Sequence, residues 1–267
     1  MIKFFRKIRQ NLMMENKTSK YLAYALGEII LVVIGILIAL SINNWNEERT
    51  ERREEMAILK QLKTEFNANL SQLDDKIGLK TNLINAVTKL FQYIDNPSLR
   101  NKDSLDQFLG KTIPYSTFDP IVSDLASSGS LRLIRSDSLK LLLSLWTSDI
   151  VSVQEDELSW KSYRNEQYVP FLVAHYQLRT IRQVAIESGL IKGYLIETGE
   201  RKAAELDAEI GNSKYPPDFH ALLDQPDFED HLERAISTNR FALSQSLILR
   251  NRILEIMALL DREIKDH

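Results

Sequence analysis

The chain has 267 residues, 44% of them hydrophobic and 27% charged; these values are close to those of ordinary globular domains and exclude wholesale disorder, collagen-like repeats and a polytopic membrane protein, while the length allows one or two domains. There is no cysteine, which removes a disulfide framework, a thiolate nucleophile, a Cys-type zinc site and an acylated lipoprotein cysteine. The formal charge is only -3, yet residues 1–20 carry six Lys or Arg against one Glu, leaving 28 of the 34 basic and 36 of the 37 acidic residues to the rest.

Residues 22–42 form a run that is apolar except for Tyr24, Glu28, Ser41 and the small Gly27 and Gly35. At about 1.5 Å per residue such a helix is roughly 31 Å long, enough for a bilayer core of about 30 Å. We read residues 1–20 as a basic leader and residues 21–45 as one transmembrane helix. A cleaved signal peptide fits less well, because the run is long and is followed by Asn43-Asn44-Trp45-Asn46 in place of small residues. A buried core helix fits less well because residues 29–40, broken only by Gly35, follow a basic leader.

Lys3, Arg6, Lys7, Arg9, Lys17 and Lys20 precede the span, against Arg49, Arg52, Arg53 and Lys60 beyond it. This bias predicts a cytoplasmic N-terminus, an inner-membrane single-pass protein and a periplasmic bulk, with Trp45 and Tyr21 or Tyr24 at the two interfaces. In the leader, Phe4, Phe5, Ile8 and Leu12 at helical spacing fit either a short helix in the headgroup layer or a plain charged leader. Within the span Ala23, Gly27, Gly35 and Ala39 lie at multiples of four, with Leu31 interrupting; small residues on one stripe permit close helix approach and predict a homo-oligomer. Glu28 is the polar oddity, since a carboxylate at membrane depth costs a few kcal/mol and points to a specific contact. It also lies near the cytoplasmic edge, where Lys20 or water could meet it.

The residues Lys17-Thr18-Ser19-Lys20-Tyr21-Leu22, the run from Gly27-Glu28 through Gly35 to Ala39-Leu40, and Asn43-Asn44-Trp45-Asn46-Glu47 resemble an uncharacterised domain-of-unknown-function family of single-pass membrane proteins of Bacteroidota. Leu125, Ser128-Gly129, Leu131, Ile134 and Leu139 form a second similar stretch. The resemblance implies an inner-membrane anchor with an exported helical domain, and it carries no activity, substrate or catalytic residue.

After Trp45 a charged stretch follows in which Glu48 and Arg52 form an i,i+4 pair. From Leu59 the apolar residues are Leu62, Phe66, Leu70, Leu73, Ile77, Ile84, Val87, Phe91 and Ile94, and from Phe66 the steps alternate four and three except at Lys80, as on a heptad seam. A stalk helix over residues 46–95 is predicted, ended by Asp95-Asn96-Pro97. Lys80 would either fix an intermolecular register or sit at the edge of a monomeric bundle with its stem reaching to water, and the second account is preferred.

Over residues 96–267 the pattern predicts a short helix near residues 104–109, Asp119-Pro120 opening a helical turn closed by Ser128-Gly129, and a long helix capped by Ser136. That helix carries Leu139, Leu142, Leu143, Trp146, Ile150, Val153, Leu158 and Trp160 and is expected to be kinked or interrupted at Pro170. The pattern weakens around Gly189, Gly193, Gly199 and Gly211, and Tyr215-Pro216-Pro217-Asp218 is a breaker. A final helix over residues 226–264 carries Leu232, Ile236, Leu243, Leu247, Ile253, Ile256 and Leu260. The predicted fold is all-α: a transmembrane helix continuing into a stalk that packs with two other long helices in an elongated bundle.

His175, His220, His231 and His267 are the whole imidazole supply, and none stands in a metal-binding motif. His220 with Asp218 and Asp224, and His231 with Asp227 and Asp230, form the densest group of potential ligands; a solvated loop and helix N-terminus account for them. No phosphate loop, dinucleotide fingerprint or nucleophile elbow occurs. No catalytic, cofactor or metal residue is nominated, and an enzyme is not expected. The acidic exported part does not suit nucleic acid; the basic leader suits lipid phosphates. The expected partners are the bilayer, a second copy through the transmembrane helix, and a periplasmic or membrane protein, with Gly27, Glu28, Gly35 and Ala39 as the residues of membrane-helix packing or polar contact. Two roles follow: a membrane-anchored structural or interaction protein, or a small-molecule sensing or transport-accessory domain enclosing a pocket near Trp146, Trp160, Tyr163, Tyr168 and His175.

Overall fold

A computed structural model of the chain describes residues 18–122, 130–187, 210–211, 213–215 and 217–265. The leader before residue 18, Leu125, Ser128-Gly129, Gly189, Gly193, Gly199 and His267 lie outside these residues. The described elements are helical and include no strand: α1 (Thr18–Asp95), α2 (Lys102–Thr112), α3 (Asp137–Tyr163), α4 (Val169–His175), α5 (Leu178–Glu187), α6 (Phe219–Leu223) and α7 (Pro226–Lys265), with short 3-10 turns at Pro97–Leu99 and Ser130–Leu133. The fold is the all-α one that the periodicity predicts. By contacts the chain divides into two units, Met1–Ala57 and Ile58–His267, the division falling inside α1.

α1 ends at Asp95, two residues before Pro97, whose missing N–H and steric demand on its predecessor stop the helix. α2 is capped by Asn101, whose side chain accepts from Ser104 N at 3.0 Å, and α6 by Asp218, which accepts from Ala221 N at 3.0 Å; each cap satisfies one otherwise orphaned N–H. Ser136 stands at the α3 cap position without a side-chain cap bond. Pro170 does interrupt the second long helix. The break takes the form of a π-helical stretch, Arg164–Tyr168, just before α4, and a wider turn there relieves the clash between the proline ring and the preceding carbonyls.

Within the second unit α1, α3 and α7 carry two apolar clusters. One contains Leu59, Leu62, Phe66 and Leu73 of α1, Leu139, Leu142, Trp146, Ile150 and Val153 of α3, and Leu249, Ile253, Ile256 and Leu260 of α7, together with Phe118 and Ile134. The other contains Leu83, Val87 and Leu90, then Leu105, Leu109, Trp160, Tyr168, Leu172, Tyr176, Ile181, Leu222 and Leu223, and Phe228, Leu232, Ala235 and Ile236. The order along each helix makes α3 parallel and α7 antiparallel to the second half of α1. Each fully buried Leu, Ile or Phe contributes about 1.5–3 kcal/mol of transfer free energy.

Four details of the periodicity are corrected. Leu158 is 46% and Leu247 45% exposed and Leu243 is half-buried, because the phase of α3 is set by Leu139, Leu142, Trp146, Ile150, Val153 and Trp160, and that of α7 by Leu249, Ile253, Ile256 and Leu260. Counting back in α7 at three- and four-residue steps brings Ser246, Ala242 and Asn239 inward, and all three are buried. On α1 the seam's Val87 is buried as predicted, but Leu83, Ala86 and Leu90 join it while Ile84 and Phe91 are left half-buried; a helix of 3.6 residues per turn drifts against a strict heptad. Residues 113–122 are not helical, so among the described residues Asp119-Pro120 does not open a helical turn; a proline biases the residue before it away from the helical conformation.

Candidate functional site

The first unit presents the predicted membrane segment. α1 includes a window long and apolar enough to cross a membrane, with none of it buried; Leu31 is 67%, Leu37 57% and Trp45 62% exposed. Within it Ser41 Oγ donates to Leu37 O at 2.8 Å, so this hydroxyl is satisfied inside the helix, as a lipid setting demands. At the far edge the Arg49 guanidinium lies 5.6 Å from the Trp45 ring centroid, an amphipathic pair suited to a headgroup layer.

Gly27, Glu28, Gly35 and Ala39 all lie in this segment. A Cβ at Gly27 or Gly35 would meet nothing within 4 Å, so both present bare backbone. Glu28 and Gly35, seven residues apart, share one helix face; Gly27, Gly35 and Ala39 drift around the helix by about 40° per four residues. The Ala23, Lys20, Tyr21 and Tyr24 side chains lie outside the described residues.

The second unit holds a polar site that the periodicity left unread. Between the two apolar clusters, at the same level of the three long helices, stand Lys80 of α1, Glu157 of α3 and Asn239 of α7, with 4%, 3% and 5% exposure. Lys80 Nζ donates to Glu157 Oε1 at 2.5 Å, and Phe118 N donates to Glu157 Oε2 at 2.6 Å. Both carboxylate oxygens are therefore partnered, as burial of a charge requires. Desolvation holds the Lys80 ammonium below its usual pKa, and Glu157 opposes that shift. Lys80 does not reach to water: a core partner meets it inside its own chain.

Phe118 belongs to an extended segment held by side chains from two helices. Gln154 Nε2 donates to Phe118 O at 2.8 Å. Gln72 accepts from Asp119 N at 3.1 Å and donates to Asp119 O at 3.0 Å, and Asn69 accepts from Ile121 N at 2.8 Å and donates to Ile121 O at 2.9 Å. The two amides copy the pairing of a β ladder. Pro120, which has no N–H to offer, falls between the two clamped residues. The Phe118 ring is fully buried against Trp146, centroids 6.4 Å apart.

The aromatic group near Trp160 is core. Trp146, Trp160 and Tyr168 are 5%, 3% and 0% exposed. Tyr168 Oη and Thr112 Oγ1 are 2.6 Å apart, Tyr176 Oη donates to Asp106 Oδ1 at 2.6 Å, and burial pushes the pKa of both phenols up. Half-buried Tyr163 bonds His231 Nδ1 at 2.8 Å, while exposed His175 stacks on Phe171. Asp218 is spent on its cap, and Asp224 on an ion pair with Arg100 at 2.6 Å. Among the described residues no group of three or more His, Asp or Glu is arranged to hold a metal ion.

The sequence marks Lys80 as the charged residue of the seam but offers it no partner, and Glu157 goes unread, although each fills a position skipped by the apolar steps of its helix. No curated protein and no solved structure matches the chain. Residues 28–144, which run from Glu28 through the second half of α1, the amide-clamped segment and the start of α3, match the model of a family of unknown function, DUF6090.

Proposed function

We propose that the protein is a membrane-anchored structural or interaction protein, not an enzyme, which crosses the inner membrane once with its N-terminus in the cytoplasm and presents a helical domain in the periplasm. The observation that carries this reading is the fully exposed apolar window near the start of α1, which in water would cost far more than a soluble domain tolerates. Six basic residues before it against four after supply the orientation. The partners are the bilayer, a second copy packed along Gly27, Glu28, Gly35 and Ala39, and a protein of the periplasm or membrane. The small-molecule reading gains no support, since Trp146, Trp160 and Tyr168 are packed into apolar clusters.

A pulldown of the full chain from mild detergent tests this role. A stoichiometric oligomer or a defined protein partner is expected; a monomer without partner whose melting temperature rises with a small metabolite would transfer the role to ligand sensing.

A further inference from the structure

The polar layer of the second unit lines a small, partly open cavity of about 20 Å³, bordered by Lys80, Glu157, Trp160 and Asn239 and by Tyr115 and Ser116 at its mouth. That is room for one water molecule and little else, since about 10–15 Å³ is the least that holds one. Trp160 is 3% exposed, and among the described residues its buried Nε1 has no acceptor. A buried indole N–H without an acceptor costs about 1–3 kcal/mol and calls for an explanation. Lys80 adds to the donor surplus: its ammonium carries three N–H groups, one of which goes to Glu157 Oε1. Both Glu157 oxygens are already engaged, by Lys80 and by Phe118 N, and the Asn239 amide donates to Ala235 O at 2.9 Å.

These groups specify their guest. The donor surplus calls for an acceptor, which excludes ammonium or a metal ion. The Lys80 and Glu157 charges already cancel, so an anion would be buried beside a carboxylate without compensation. We propose that the cavity is a binding site for a single ordered water, which accepts the Trp160 Nε1 hydrogen and a second hydrogen from Lys80 Nζ and donates into the Glu157 and Asn239 oxygens. A water bonded in this way makes the polar residues of α1, α3 and α7 one connected network.

Crystals of the full chain, grown with and without sodium bromide at a resolution that shows ordered water, test the site. The expected result is one density peak within hydrogen-bond distance of Trp160 Nε1, unchanged by bromide and without anomalous signal. A bromide anomalous peak in the cavity would make it an anion site and overturn the proposal. So would a cavity without density, or a Trp160 Nε1 that donates to a protein oxygen.

Discussion

Lys80 and Glu157, 77 residues apart in the sequence, meet at 2.5 Å in the core of the helical domain. Each is the charged residue at a position where its helix otherwise places an apolar side chain. The pair, with Asn239, separates one apolar cluster from the other along the bundle, and Glu157 also fixes the backbone of Phe118.

Removing one member therefore leaves a buried uncompensated charge. Lys80→Leu and Glu157→Leu are each expected to destabilise the chain by about 3–5 kcal/mol. The double variant is expected to cost clearly less than the two singles together, although Phe118 N then loses its acceptor, at about 1–3 kcal/mol. Denaturant unfolding of the three variants checks this; additive costs, or a Lys80→Leu chain as stable as wild type, would mean that the pair is energetically idle.

The amide clamp gives a graded expectation. Asn69 is 1% exposed, whereas Gln72 is half-buried with its bonds to Asp119 open to solvent, so Asn69→Ala strands the Ile121 backbone groups away from water while Gln72→Ala lets solvent replace the lost bonds. Losses of about 1–3 kcal/mol and about 0.5–1 kcal/mol respectively are expected. Amide hydrogen exchange at Asp119 and Ile121 reports each clamp separately, and the reverse ranking would refute the account.

Much of this architecture was legible. The apolar run, the proline at 97, the interruption at Pro170 and the start of the last long helix are local signals, set by lipid thickness, missing N–H groups and caps. The polar layer was not read, because a lone charge on a seam is ambiguous within one helix: Lys80 looks like an edge residue until Glu157 is seen filling the skipped position in the run Val153, Glu157, Trp160. Two skipped positions of opposite charge were the available signal. The clamped segment was misread for a different reason. Asp119-Pro120 is a good helix opening locally, and only Asn69 and Gln72, some fifty residues away, make the extended conformation pay.

His231 gives the acid response. Desolvation lowers its pKa from the ordinary 6.5, against the pull of Asp227 and Asp230, so between 6.5 and the folded value the unfolded chain binds more protons. Stability is then present above pH 6.5 and falls as pH drops through that window. His231→Gln is expected to flatten the dependence of melting temperature on pH below 6.5; an unchanged slope would place the acid sensitivity elsewhere.

In the membrane segment Gly35→Ile and Ala39→Ile are expected to weaken self-association, because bulky side chains keep two helix backbones apart. Glu28→Gln, which keeps shape and removes charge, is expected to weaken it too, since the residue shares a face with Gly35. Crosslinking yields in native membranes measure both effects, and yields equal to wild type in all three variants would remove this face from the interface.

The central claim, an anchor with its helical domain across the membrane, is tested most directly by cysteine accessibility, for which a chain without native cysteine is well suited. Ser148 is exposed on α3. In cells with a permeabilised outer membrane, Ser148→Cys is expected to react with a membrane-impermeant maleimide while a cysteine at Ser19 reacts only after the inner membrane is broken. Labelling of Ser19→Cys in intact cells, with Ser148→Cys protected until lysis, would contradict the orientation, and release of the unlabelled protein in the soluble fraction would contradict the anchor itself.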